Sequence, residues 1–184
     1  MPYKVDPRKN YAALEERLKT ESDPIIRRNL ETTIKHSKAE AAADFPTLMS
    51  TVSDRAAYTS YTTGAAAVDN SPKGKDGVAA YYKTIVESGC HHIEHAVERV
   101  VADRHAISTD GDFTMAYPTQ ALKAMGFDVS DAAPYYLYKG RMLIVWGFDE
   151  NGLVTCEDSY PAGAGFEGIG ERPCQPSEIY SGSH

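Results

Sequence analysis

Between Tyr11 and Val52 the apolar residues recur three or four positions apart, whereas from Cys90 onward apolar and polar residues tend to alternate. The first spacing belongs to helices with one buried face, the second to strands with one buried face. Tyr11 to Thr20 carries apolar residues at 11, 14 and 18 and predicts a short helix. Asp23 followed by Pro24 marks the next helix start, because an aspartate oxygen accepts from free N–H groups and proline fits the first turn. Ile26, Leu30, Ile34, Ala41, Phe45, Leu48 and Val52 continue the helical spacing, with Pro46 expected to split the run into a long and a short helix.

The pattern changes after Arg55. Residues 56–68 (AAYTSYTTGAAAV) bring tyrosines and threonines suited to a strand, and residues 70–75 (NSPKGK) predict a turn. Asp76 is a candidate cap for a helix over 77–88, with apolar residues at 78, 81, 82 and 85 and Gly89 as its stop. Then come four strand-like runs, at 91–102, 105–117, 135–149 and 152–160, with a short insertion at 119–126. Asp149–Gly152 predicts a hairpin turn, and Asp110–Gly111 is expected in or beside another. Helices first and an antiparallel meander afterwards predict an α+β fold, with helices covering one face of a curved sheet.

At 184 residues and 42% hydrophobic, the chain suits one domain with a real core. Residues 1–162 are expected to form it, and 163–184, rich in Gly, Pro and Ser, to be an extension with little regular structure. Acidic residues outnumber basic ones by 26 to 19, and no basic cluster is present, so a nucleic-acid partner is not expected. No apolar run approaches the ~20 residues that span a bilayer, and MPYKVDPRKN lacks a signal-peptide core. A soluble, cytoplasmic protein without membrane partners is expected. The three cysteines form no CxxC pair, which points to free thiols rather than disulfides or a zinc module.

CHHIEHAVE, residues 90–98, concentrates three of the six histidines. On a strand His91, Ile93, His95 and Val97 share one face, while His92, Glu94, Ala96 and Glu98 share the other. The first set would look into the core and the second toward water or a partner. Four residues of extended chain separate His91 from His95 by ~13 Å, too far to share one metal ion. His92 and Glu94 could share a metal only with a third ligand from elsewhere, and the expected metal set is therefore none.

The order of elements resembles the nuclear transport factor 2-like fold and, within it, SnoaL-like proteins. The resemblance rests on Glu40 followed by DFPTLMST at 44–51, on GVAAYY at 77–82, and on Val145-Trp146 with the hairpin at 149–154. It covers roughly residues 24–162. It implies a cone, an α+β barrel of strongly curved, mixed but mainly antiparallel sheet around N-terminal helices, with a mostly apolar pocket at its open end. Members include polyketide cyclases, scytalone dehydratase, ketosteroid isomerases and limonene epoxide hydrolase, and also binding or scaffold proteins without chemistry.

The resemblance directs attention to several residues. CHHI is similar to the dehydratase strand that carries a catalytic histidine, which matches His91, and an inward histidine can shuttle a proton. A histidine simply hydrogen-bonded in the core is the alternative. In CEDSY, Glu157 and Asp158 take opposite faces, so only one can enter the pocket. Similarity to the late aspartate of the cyclases and hydrolases favours Asp158, and Glu157, standing where the hydrolase pattern has arginine, argues against epoxide hydrolysis. A water-exposed strand-end carboxylate is the alternative reading of Asp158. Tyr58 is a candidate to polarise a substrate oxygen, although such tyrosines often serve as core aromatics; Tyr61 lies on the opposite face. Glu40, one turn after His36, and His95 are candidate substrate contacts, with a solvated helix pair as the simpler view of Glu40 and His36. The expected function is a cofactor-free dehydratase, cyclase or double-bond isomerase for a small hydrophobic carbonyl compound. A homodimer through the outer sheet face is expected, and a non-catalytic binding or dimer-scaffold protein is the rival.

Overall fold

A computed structural model describes residues 3–61 and 71–181. Among these residues four helices precede the sheet: α1 Lys9–Thr20, α2 Pro24–Ala41, α3 Phe45–Met49 and α4 Gly74–Glu87. Asp23 caps α2 as its sequence predicts, accepting from the N–H groups of Ile25 and Ile26. Asp44 caps α3 in the same way through Thr47, so the chain breaks between Ala41 and Phe45 rather than at Pro46 itself. Helix α4 starts two residues ahead of Asp76, which lies in its first turn instead of capping it. Among the described residues no helix is long and apolar enough to cross a membrane.

The sheet is a meander of β1 Ile93–Ala102, β2 Ala106–Pro118, β3 Tyr135–Phe148 and β4 Val154–Ala162, antiparallel throughout, with the short β5 Pro173–Cys174 added to β3. The sheet stays open rather than closing into a barrel. Helix α5 Thr119–Ala124 fills the insertion between β2 and β3. The expected strand at 56–68 is an extended segment over Ala56–Tyr61 laid parallel to β4, with the Ala57 N–H donating to the Thr155 carbonyl and the Tyr61 N–H to the Ser159 carbonyl. Its remainder, 62–68, and Asn70 of the expected turn lie outside the described residues.

Asp110–Gly111 is not a turn. Both residues sit in the middle of β2, where β1 bulges between Val97 and Arg99. A Cβ on Gly111 would lie 2.1 Å from the Ala96 carbonyl oxygen, so the glycine permits the close passage of the bulged strand. A second bulge lies in β4: Phe148 pairs with Val154 but Gly147 pairs with Cys156, leaving Thr155 as the extra residue. Beyond that bulge every β4 side chain faces opposite to a plain hairpin continuation.

The main core lies between the helices and the concave sheet face, where Leu14, Leu30, Leu48, Val52, Val78, Tyr82, Ile107 and Val154 are at most 1–2% exposed. Each such aliphatic side chain contributes roughly 1.5–3 kcal/mol of burial. Residues 163–181 are mostly irregular but anchored. Cys174 and Ile179 pack with Val5, Ala116 and Leu137, and Ile169 packs with Leu122, Val129 and Tyr136. Arg172 donates to the carbonyls of Leu137, Gly165 and Glu167, pinning this segment to β3.

Candidate active site

Alternation along the strands gives the concave face its composition. Ile93 and His95 of β1, Thr109, Phe113, Met115 and Tyr117 of β2, Tyr138, Met142, Ile144 and Trp146 of β3, and Glu157, Ser159 and Pro161 of β4 all look toward the helices. They line a cavity of about 1070 Å³ together with Leu14, Ser37 and Glu40 from the first two helices, Tyr58 from the extended segment and Tyr81 from α4. Residues 163–167 complete the wall. Gly165 lies so close to Tyr138 that a Cβ there would be 2.2 Å from its ring. Tyr138, Tyr117, Phe127 and Phe166 form an aromatic cluster beside it.

Polar groups gather at one place in this largely apolar enclosure. Glu40 and Glu157 both line the cavity. Burial pushes the Glu40 carboxyl up to about 7. Burial first, and then the charge of Glu40, push Glu157 well above the ordinary carboxylate range. Both keep some accessible surface, 16% in the case of the Glu157 side chain. Tyr58, a cavity-lining residue, is 4% exposed, and its hydroxyl is buried with no hydrogen-bond partner among the described residues. Burial and then Glu157 raise the Tyr58 hydroxyl, offset in part by the nearby Tyr82 hydroxyl, although the two are not in hydrogen-bonding geometry.

Behind Glu157 stands a polar file that does not touch the cavity. Tyr82 places its hydroxyl 2.5 Å from Glu157 Oε2 and 2.8 Å from His36 Nε2. His36 is fully buried, its Nδ1 2.7 Å from Thr51 Oγ1, and its ring meets the Trp146 indole edge-on at 5.2 Å. Burial drives the imidazole down to about 3, so it is neutral.

The residues singled out from sequence divide. Glu40, Tyr58 and His95 line the cavity; His91 and Asp158 do not. His91 precedes β1, half-buried against the His92 ring, with Nδ1 buried and without a hydrogen-bond partner among the described residues. Asp158 faces the other side of β4, where it accepts from the Thr59 N–H. His95 is 5% exposed, and burial lowers it to about 4. Its Nε2 lies 3.1 Å from the Met142 carbonyl, which can only accept, so Nε2 carries the proton and Nδ1 is the basic nitrogen. Glu94 does not face open water: it is 8% exposed, pairs with Lys9 at 2.8 Å and accepts from the Asp6 N–H.

Sequence reasoning weighed Glu157 and set it aside, saw His36 only as the neighbour of Glu40, and read Tyr82 as part of an apolar stripe. The signal for Glu157 was its register with Trp146, which the Thr155 bulge hides. Among the described residues no three His, Cys, Asp or Glu side chains converge as a metal site.

No protein-family model matches the chain, and no curated protein matches it in sequence. Solved structures do share its fold. A protein described as a SnoaL-like polyketide cyclase from Shewanella denitrificans OS-217 superposes with a TM-score of 0.62 at 14% identity, covering 80% of this chain and 97% of its own. An LEH-like epoxide hydrolase of M. tuberculosis gives a TM-score of 0.59 at 16% identity, over 79% and 92% of the two chains. A phenazine biosynthesis-related protein of Pseudomonas aeruginosa gives 0.58 at 14% identity, over 82% and 89%. The chain thus has the nuclear transport factor 2-like fold that its element order resembled.

Proposed function

We propose that this protein is a cofactor-free lyase or isomerase that moves protons on a small, hydrophobic, carbonyl-bearing molecule. The observation that carries the reading is the pair Glu40 and Glu157, two carboxyl groups on the wall of one apolar cavity, both shifted toward neutrality. General acid–base catalysis needs a group that accepts and a group that donates near the working pH. One carboxylate takes a proton from the carbon beside the carbonyl, and the C–H electron pair becomes the new double bond. The other carboxyl gives its proton to the carbonyl oxygen as the C=O π pair moves there. Return of the proton at a different carbon isomerises the molecule, whereas loss of a β-hydroxyl as water dehydrates it.

In this scheme the acid/base pair is Glu40 and Glu157 rather than His91 and Asp158, because only the former line the cavity. Tyr58 supplies its unpartnered hydroxyl to the substrate oxygen, and His95 contacts the substrate from β1. Apolar walls, including Phe113, Ile144 and Trp146, suit a hydrophobic ligand. The fold neighbours described as a cyclase and as an epoxide hydrolase support an enzymatic reading of such a cavity. We also place a homodimer at the outer sheet face, where Val101 is 62% and Leu143 37% exposed.

The test uses β-tetralone, an enolisable bicyclic ketone, incubated with the protein in heavy water and analysed by mass spectrometry. Deuterium enters its α-positions faster than in buffer with the wild type, and not with Glu40→Gln or Glu157→Gln. Binding of the ketone without exchange supports the rival, a ligand-binding protein, for which the predominantly apolar wall is sufficient.

A further inference from the structure

We infer that Thr51, His36 and Tyr82 form a buried relay that keeps the proton on Glu157, making Glu157 the proton donor of the site and Glu40 the acceptor. The inference rests on the acid–base reading of the cavity and assigns the direction in which that reading runs.

The argument is a count of hydrogens. Thr51 has one hydroxyl proton and donates it to the Leu48 carbonyl at 2.6 Å, since a carbonyl can only accept. The Thr51 oxygen, 2.7 Å from His36 Nδ1, therefore accepts, and Nδ1 carries the hydrogen. A neutral imidazole has one N–H, so Nε2 presents a lone pair to the Tyr82 hydroxyl at 2.8 Å. Tyr82 donates its single proton there. With that proton committed to His36, the 2.5 Å contact between the Tyr82 oxygen and Glu157 Oε2 is a hydrogen bond only when the carboxyl group supplies the proton.

The alternative with the same number of protons is an imidazolium at His36 and a carboxylate at Glu157, 3.7 Å apart at their nearest atoms with Tyr82 between them. It places a cation on a side chain with no solvent exposure, enclosed by Trp146 and Tyr82, and is disfavoured by desolvation. The titratable groups around Glu157 are His36 and Glu40 on α2, Tyr58 on the extended segment, Tyr81 and Tyr82 on α4, and Cys156 and Asp158 on its own strand. Among the described residues none is a cation that would hold Glu157 ionised. Among the described residues Glu40 has no such relay, and it is the group left to lose its proton.

The readout is the infrared C=O stretch of a protonated carboxylic acid, assigned to Glu157 by its loss in Glu157→Gln and titrated with pH in the absence of any substrate. In the wild type the band is present at pH 7. Thr51→Val, three hydrogen bonds removed from Glu157, frees His36 to take the Nε2–H tautomer, which turns the Tyr82 hydroxyl toward Glu157 as a donor. The Glu157 midpoint then falls by about one to two pH units, the effect of one hydrogen bond to a charged group. Thr51→Ser restores it. His36→Leu removes the acceptor of Tyr82 altogether and lowers the midpoint by the same route. Absence of the Glu157 band at pH 7 in the wild type overturns the relay, as does an unmoved midpoint in either variant. The band needs no turnover, so it separates the failure of the relay from the failure of the enzymatic reading, which the deuterium exchange reports.

Discussion

Trp146 and Glu157 are direct cross-strand partners on β3 and β4, so the carboxyl group emerges beside an indole on the concave face rather than in water. An apolar neighbour and a closed surround disfavour the charged carboxylate, which is the physical origin of the raised Glu157.

Replacing Glu157 with glutamine keeps the shape of the neutral acid and an N–H donor for Tyr82. Its stability at pH 5 should match the wild type within ~0.5 kcal/mol, and at pH 8 should equal or exceed it. Urea denaturation at the two pH values checks this. A large loss of stability at pH 5 would show that the carboxyl is needed in its charged form.

Glu40 imposes a loss of stability on going from acid to neutral pH. Between the ordinary 4.5 of the unfolded chain and about 7 in the fold, the folded state holds a proton that the unfolded state has released. Stability is therefore full below the lower value and falls as pH rises through this window. The loss attributable to Glu40 by pH 8 is about 3 kcal/mol, and Glu40→Gln should abolish that part of the slope. His36 acts at the other end. The unfolded chain takes up a proton below 6.5 that the buried imidazole refuses until about 3, so stability also declines as pH falls through that range.

Gly111→Ala should cost about 1–3 kcal/mol, because its Cβ would have to displace the Ala96 carbonyl of the bulged strand rather than a flexible side chain. Thermal unfolding measures it. An unchanged melting temperature would mean that β1 and β2 can separate at the bulge.

Gly165→Ala forces the Tyr138 ring away from the wall segment. We expect a modest loss of stability, on the order of 1 kcal/mol, together with weaker binding of β-tetralone measured by calorimetry. Binding equal to the wild type would remove residues 163–167 from ligand recognition.

Much of the architecture was legible because it rests on local rules. The Asp23-Pro24 start, the helical spacing through Val52 and the Asp149–Gly152 turn each specify an element by chemistry within a few residues. Asp110–Gly111 misleads because a glycine demanded by close strand passage looks the same in sequence as one demanded by a turn. The site was half legible. Opposite faces for Glu157 and Asp158 follow from strand geometry, but which of them turns inward depends on the Thr155 bulge, and no residue pattern announces an unpaired position. Glu40 and Tyr58 could be nominated singly. Their meeting with a carboxyl more than a hundred residues later in the case of Glu40, and nearly that in the case of Tyr58, is a property of the tertiary fold.

Residues 163–167 wall the cavity yet belong to no strand or helix of the sheet and its cover, and they are held there chiefly by Arg172. In the proposed reading, selectivity and reactivity fall on separate lengths of chain. Substitutions in this border can reshape what is admitted while the carboxyl pair and the framework beneath it stay as they are, which makes the segment the natural place to evolve or engineer a new preference.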